Sequence, residues 1–280
     1  MTQTPRDSFD LQRLQQRLAG LKLGQPLYYF ETIDSTNQFL RALPPNQIQP
    51  GALALADHQT KGRGRFHRRW CDTPGRSLLF SVLLEASRPA SLWPLLTLGA
   101  AVSVCRALER EEIARPQIRW PNDVMIDERK VCGILAEKTS APKVLVLGVG
   151  LNVHQRIEDF PSPLRRSAGS LQLAAERPWS RENLLVAFLA DFETFYRQWR
   201  DEQDATILHE CRRRMSTLGR QVYIHGHGCR AEGIVMDLDD DGSLVLREPT
   251  GIVSRRHSGE VEEIAWETKN KCEGSRLKDE

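Results

Sequence analysis

The chain changes character near Leu218, and this limits what it can fold into more than any other feature. Before that point, strand-like apolar runs alternate with stretches of helical periodicity. After it come about fifty residues of short strands and turns only, the pattern of a small β-barrel. QVYIHG, CRAEGIVMDL, SLVLRE, GIVSRRH and VEEIAW read as strands, and Asp240-Asp241-Gly242 as a hairpin turn. The expected class is α+β. A helical lead spans 1–26, a mixed domain 27–216 and a small β domain 217–267, with a charged, disordered tail at 268–280.

Within the first part, Leu11, Leu14, Leu18 and Leu21 recur at helical steps, and Gly24 and Pro26 end that helix. LYYFETI reads as a strand. Ser35 followed by Gln38 has the form of a capping box and predicts a helix start. Ala52–Ala56 and SLLFSVLL read as buried strands, LWPLLTLGAAVSVCRALER as a helix. QIRW stops at Pro121, VMID and VCGILAE form a hairpin around Glu128-Arg129-Lys130, and KVLVLGVGLNV is a further strand. Leu184, Leu185, Phe188, Phe192, Phe195 and Trp199 define an amphipathic helix capped by Ser180.

Composition excludes several classes. With 40% apolar and 27% charged residues the chain can bury a real core. A formal net charge of +2 does not mark a polyanion-binding protein. The six cysteines form no Cys-x-x-Cys pair and read as reduced thiols. The start MTQTPRDSFD has no apolar signal core, and stretches such as LLTLGAAVSV are too short to span a bilayer. A cytoplasmic protein without membrane association is expected.

Five features carry chemistry. The loop Gln59 to Trp70 packs several cations and two glycines together. Arginine forks suit carboxylate and phosphate, each charge-assisted bond contributing roughly 1.5–3 kcal/mol. Cations this dense repel one another without an anion, so the loop reads as one that orders on a polyanion. A solvated basic loop or a nucleic-acid patch fits the same composition. Arg119-Trp120-Pro121-Asn122-Asp123 ends a strand in a turn. Ser35-Thr36-Asn37 at a helix start offers free N–H groups to a polar ligand, or is a cap and nothing else. Gly148, Gly150 and Gly133 lie in apolar strands, which signals close approach by a ligand or by another backbone. Lys130 can reach toward an anion or sit in solvent. His225-Gly226-His227-Gly228-Cys229 lacks a fourth partner at metal-site spacing.

Taken in order, Ser35-Thr36-Asn37, Gln59-Thr60-Lys61-Gly62-Arg63-Gly64-Arg65, Trp120-Pro121-Asn122-Asp123, Lys130 to Leu135 and Gly148 to Asn152 resemble the biotin–protein ligase family. The likeness is strong over residues 27–153 and continues into Gly219-Arg220-Gln221-Val222 and Ser258-Gly259-Glu260-Val261. The resemblance implies a catalytic domain related in fold to class II aminoacyl-tRNA synthetases, with an SH3-like C-terminal barrel. It implies ATP, with Mg2+, activating biotin to biotinyl-5'-AMP, followed by transfer to a lysine of a biotin carboxyl carrier domain. The segment before Tyr28 is too short for a winged helix, so the short type without specific DNA binding is expected, as monomer or homodimer.

Carried over by motif, the resemblance gives Ser35, Thr36, Asn37, Gln59, Gly62, Arg63, Gly64, Arg65, Lys130, Gly133 and Gly150 to biotin. It gives Arg63, Arg65, Arg68, Trp70, Arg119, Asn122, Lys130 and Asn152 to ATP and the adenylate. Lys130, Arg119, Asp123 and Arg63 are the expected catalytic groups, Asp123 positioning Mg2+ or the phosphate-binding side chains. Two departures stand out: Arg119 where the family usually has Lys, and Phe66-His67 where it commonly has Arg-Gly. They put the rate in doubt, the second through a stiffer loop. A lipoate–protein ligase, a catalytically weakened biotin- or adenylate-binding protein and a nucleic-acid module are the rival readings.

Overall fold

The computed structural model describes residues 7–113, 115–226 and 229–263. The expected tail at 268–280, and residues 264–267 of the expected β domain, lie outside them.

A seven-stranded sheet is the frame of the first part, in the order β1-β2-β3-β7-β6-β5-β4. Its strands are β1 (Leu27–Phe30), β2 (Leu53–Ala56), β3 (Ser77–Glu85), β4 (Gln117–Arg119), β5 (Asp123–Ile126), β6 (Arg129–Lys138) and β7 (Val144–Asn152). β1 and β2 pair parallel, and the others antiparallel. The helices are α1 (Leu11–Leu18), α2 (Thr36–Arg41), α3 (Pro94–Arg110), α4 (Leu171–Ala174), α5 (Arg181–Arg200) and α6 (Ala205–Arg214).

Alternation along β3 decides which side becomes core and which becomes site, because successive side chains leave a strand on opposite faces. Leu78, Phe80, Val82 and Leu84 join the main core with α3 and α5. The Phe80 and Phe188 rings meet edge-on at 5.0 Å. Burying each such aromatic stabilises the fold by about 2 kcal/mol. Leu83, on the other face, packs with Leu40 of α2. Ser81 is on that face too, wholly buried, so a polar group sits where α2 covers the sheet. All six apolar positions read for α5 are buried, and Ser180 caps it by accepting from Asn183 N. The apolar span Ala90–Arg110 is long enough to cross a membrane, but 67% of it is buried in this core.

The hairpin expected around Glu128 is present. Its turn residues Asp127 and Glu128 both take positive φ, the geometry that matches strand twist in a two-residue turn. The periodicity reading missed α6, four of whose ten residues are charged. α6 buries Ile207, Leu208 and Cys211, while Glu210 bonds Arg106 and Arg214.

The second sheet has five strands, β8 (Gln221–Gly226), β9 (Cys229–Leu238), β10 (Leu244–Arg247), β11 (Val253–Arg256) and β12 (Glu260–Glu263), in the order β11-β10-β9-β8-β12. All pairings are antiparallel. Among the described residues β11 and β12 do not pair, so the SH3-like sheet stays open. Its Gly242 turn docks on the first part: Trp120 Nε1 donates to Gly242 O at 2.9 Å. A side-chain carbon on Gly242 would stand 3.0 Å from Leu98.

Candidate active site

A cleft of ≈ 370 Å³ opens on the α2 side of the large sheet. Its floor comes from strand register. Gly150 pairs with Leu79 on one side and Gly133 on the other, and Gly148 with Ser81 and Leu135. The alternating glycines of β7 thus face the cleft. A side-chain carbon on Gly148 would stand 2.1 Å from Asn37 Oδ1, and one on Gly150 2.7 Å from the Trp70 ring. On Gly133 it would meet the same ring at 2.8 Å. The Trp70 indole therefore lies on a two-glycine slot, with Lys130 Nζ 5.6 Å from its centroid.

The floor's polar groups are buried and satisfy one another. Gln59 Oε1 accepts from Thr36 N at 2.7 Å and from Thr36 Oγ1 at 3.1 Å. Thr36 Oγ1 lies 2.6 Å from Ser81 Oγ, which donates to Asn37 Oδ1 at 2.6 Å. Asn37 Nδ2 donates to Glu137 Oε2 at 2.9 Å. Ser35 Oγ caps α2 at Gln38 N. The α2 amide of Thr36, read from the sequence as free, is thus already engaged. Gln38 does not close a capping box; its Oε1 accepts from Arg41 and Arg63.

The basic loop covers this floor as a narrow hairpin. Trp70 N donates to Gly62 O and Gly64 N to Arg68 O. Gly62 has no room for a side chain because Trp70 O stands 2.6 Å from where a Cβ would be. The sequence expectation that the cations repel without an anion is corrected here: carboxylates of the protein itself pair with Lys61, Arg63 and Arg68, and neutral oxygens accept from Arg65. Arg63 Nη2 lies 3.4 Å from Glu137, Arg68 Nη2 2.6 Å from Glu260 and Lys61 Nζ 2.8 Å from Asp34. Arg65 Nη1 donates to Gly259 O at 3.0 Å and to Asn122 Oδ1 at 3.3 Å. Burial lowers the Arg65 pKa, opposed by Asp123 and Glu260. At the loop tip Phe66 and His67 sit at φ 52 and φ 60, the left-handed region where residues with side chains are strained. Behind the loop, burial raises the Asp72 pKa, with the His58 hydrogen bond at 2.8 Å opposing.

Along the far wall, Lys130 Nζ and Asp123 Oδ1 are 2.6 Å apart. Arg119 pairs with Asp123 across the β4–β5 turn. Asn122 Nδ2 donates to Ile134 O at 2.8 Å. Asn152 Nδ2 donates to Gly169 O at 2.9 Å, so this side chain fastens the 167–169 segment at the rim. Every residue assigned from the resemblance to biotin, ATP or catalysis lines the cleft except Gly62, which stands behind Trp70. Two contributors escaped the sequence reading, Ser81 and Glu137, and Glu260 was read there as part of a motif without a place in the site. A serine inside an otherwise apolar strand was the one available signal.

Comparison with known proteins places these features together. The family model for the biotin/lipoate A/B protein ligase family matches residues 29–154. The bifunctional ligase/repressor BirA of Bacillus spizizenii is 32% identical over 249 residues, spanning 87% of this chain and 76% of that one. The biotin–[acetyl-CoA-carboxylase] ligase of Mycobacterium tuberculosis is 32% identical over 248 residues, 86% of this chain and 91% of that protein. Among solved structures, the biotin protein ligase of Aquifex aeolicus in complex with biotin and ATP superposes with a TM-score of 0.76. It is 28% identical, over 86% of this chain and 99% of that one.

Proposed function

The chain belongs to the biotin–protein ligase family, and on that premise we propose that it joins biotin to a lysine of a biotin carboxyl carrier domain in two steps, the first of which consumes ATP. The observation that carries this reading is the pairing, in one cleft, of a neutral hydrogen-bonding floor with a cationic lid and wall. A ureido ring needs the first and an acyl adenylate the second.

In the first step a carboxylate oxygen of biotin attacks the α-phosphorus of ATP, and pyrophosphate leaves. The protein's part is orientation and charge stabilisation. Ser35, Thr36, Asn37 and Gln59 hold the ureido ring, and Gly133 and Gly150 let it lie close to the strands. Lys130, kept in place by Asp123, neutralises charge between the carboxylate and the α-phosphate. Arg119, Arg63, Arg65, Arg68 and Asn122 hold phosphates and adenylate, and Asn152 steadies the rim. Trp70 leaves the glycine slot to cover the ligand. Among the described residues no three metal-ligating side chains gather, and Asp123 is already held by Lys130. Mg2+ is therefore taken as travelling with ATP as part of the substrate. In the second step the carrier's ε-amine attacks the mixed anhydride and AMP leaves, while the lid keeps water out. Residues 27–216 are the proposed catalytic unit, with residues 217–267 fastening the lid.

The test is biotin- and ATP-dependent labelling of a carrier domain, with lipoate in parallel and Arg119→Lys beside the wild type. Labelling with biotin and not lipoate is expected. Labelling with lipoate alone overturns the choice of acid, and no labelling by either protein overturns the reading.

A further inference from the structure

Glu137 stands behind the cleft wall, and its two carboxylate oxygens serve different parts of the site. Oε2 accepts from Asn37 Nδ2 on the floor at 2.9 Å. Oε1 lies 3.4 Å from Arg63 Nη2 on the lid and 3.1 Å from Arg41 Nη1 on α2. Its side chain is 14% exposed, so these contacts act in a partly desolvated setting where the charge needs partners.

The floor contact fixes an orientation. The two ends of an asparagine amide have nearly the same shape and opposite hydrogen-bonding sense, whereas a carboxylate only accepts. Glu137, with the Leu135 carbonyl that accepts from the same Nδ2 at 3.3 Å, selects Nδ2 and leaves Asn37 Oδ1 turned toward Ser81 Oγ, 2.6 Å away. The bare Gly148 backbone admits that oxygen. The lid contact is exchangeable for a different reason. Arg41 also donates to Lys138 O at 2.9 Å and stays with Glu137 whether or not Arg63 leaves. A half-buried carboxylate with two guanidinium partners can release one without becoming an uncompensated charge.

We infer that Glu137 is a positioning residue that couples the acid-recognising floor to the adenylate-covering lid. It sets the Asn37 amide, and it docks Arg63 until the ligand's anionic groups take that guanidinium over. This inference rests on the biotin ligase reading.

The isosteric variant Glu137→Gln keeps the shape, removes the charge and loosens the Asn37 amide, leaving the Leu135 carbonyl as the one acceptor-only partner of Nδ2. The expected result is a KM for biotin raised about 5- to 10-fold, with release of the biotinyl-adenylate changed less than about 3-fold because Arg63 is by then on the ligand. Pyrophosphate formation at saturating biotin changes less than about 3-fold. Double-mutant cycles separate coupling from general loosening. Arg63→Met in the Glu137→Gln background weakens adenylate binding by a larger factor than it does in the wild type, because no docked pair is lost with it, and Asn37→Ala adds less to KM than it does alone. Additive effects in both cycles overturn the proposal, as does a loss that merely follows a lowered Tm. Glu137→Asp, which keeps the charge and shortens the reach, replaces Glu137→Gln if that variant does not fold, with the same non-additivity expected. Wild-type protein without biotin-dependent pyrophosphate formation overturns the functional reading, and this inference with it. Active wild type with additive cycles overturns this inference alone.

Discussion

The floor of the cleft and its lid are both polar, yet they satisfy their polar groups in opposite ways. On the floor, Gln59, Thr36, Ser81 and Asn37 are neutral, buried and bonded to one another at 2.6 to 3.1 Å. On the lid, Arg63 and Arg68 are charged, exposed and paired with carboxylates from strands outside the loop. A buried neutral network is costly to disturb, so it holds one shape before any ligand arrives. Exposed ion pairs are worth little each and exchange readily for another anion. On the proposed function the difference teaches a division of labour: the floor would recognise by being preformed, and the lid would close by trading one set of anions for another.

The comparison breaks most sharply at Lys130, the wall cation nearest to both regions. Lys130→Ala is expected to slow pyrophosphate release by roughly 10²- to 10³-fold, as removal of a charge-stabilising group does, with biotin affinity little changed. Single-turnover assays with labelled ATP measure it. Gly148→Ala attacks the floor alone. Its new methyl stands 2.1 Å from Asn37 Oδ1, so the network must shift. Overpacking of this kind costs about 1–3 kcal/mol, which is a KM for biotin raised roughly 10- to 100-fold. An unchanged KM would remove Asn37 from recognition. Arg63→Ala attacks the lid alone and should release the adenylate about 10-fold faster without altering the biotin KM, as befits one charge-assisted contact. Trapping experiments with hydroxylamine follow that release.

Smaller effects sharpen the same contrast. Arg68→Ala breaks an exposed pair with Glu260, so the change in unfolding free energy should stay below about 1 kcal/mol and shrink as salt rises. Denaturant titration at two ionic strengths checks both. His67→Gly relieves a left-handed residue at the lid tip, yet it also gives the unfolded chain more freedom. The net change in Tm should be a rise of no more than a few degrees, on the order of 1 kcal/mol. A fall would mean that the φ of 60 costs His67 little.

How much of this was legible in the sequence follows the same line. The lid was legible because its cations and glycines are contiguous, from Gly62 to Trp70. So was the sheet-forming pattern of β3, β6 and β7, where apolar runs and hairpin turns lie close together. What the lid cations hold was not legible. Glu137 and Glu260 reach them through strand register and through the docking of the second sheet, neither of which is written in local spacing. Ser81 shows the same limit: its hydroxyl became part of the site only because alternation along β3 turned it toward α2. Helix α6 escaped because only Ile207, Leu208 and Cys211 of its ten residues are apolar and buried, while Glu210 and Arg214 bond across to α3.

The bond from Arg65 to the Gly259 carbonyl joins positions 194 residues apart, and that separation imposes an order in time. A ribosome adding roughly 5–20 residues per second needs on the order of ten to forty seconds to cover such a stretch. During that interval the strands of the large sheet are already available to pair, and with them the groups that grip the ureido ring. The carbonyl that fastens the lid has not yet been made. A nascent chain therefore has the groups proposed to grip the acid well before it has the carbonyl that fastens the lid over an activated product.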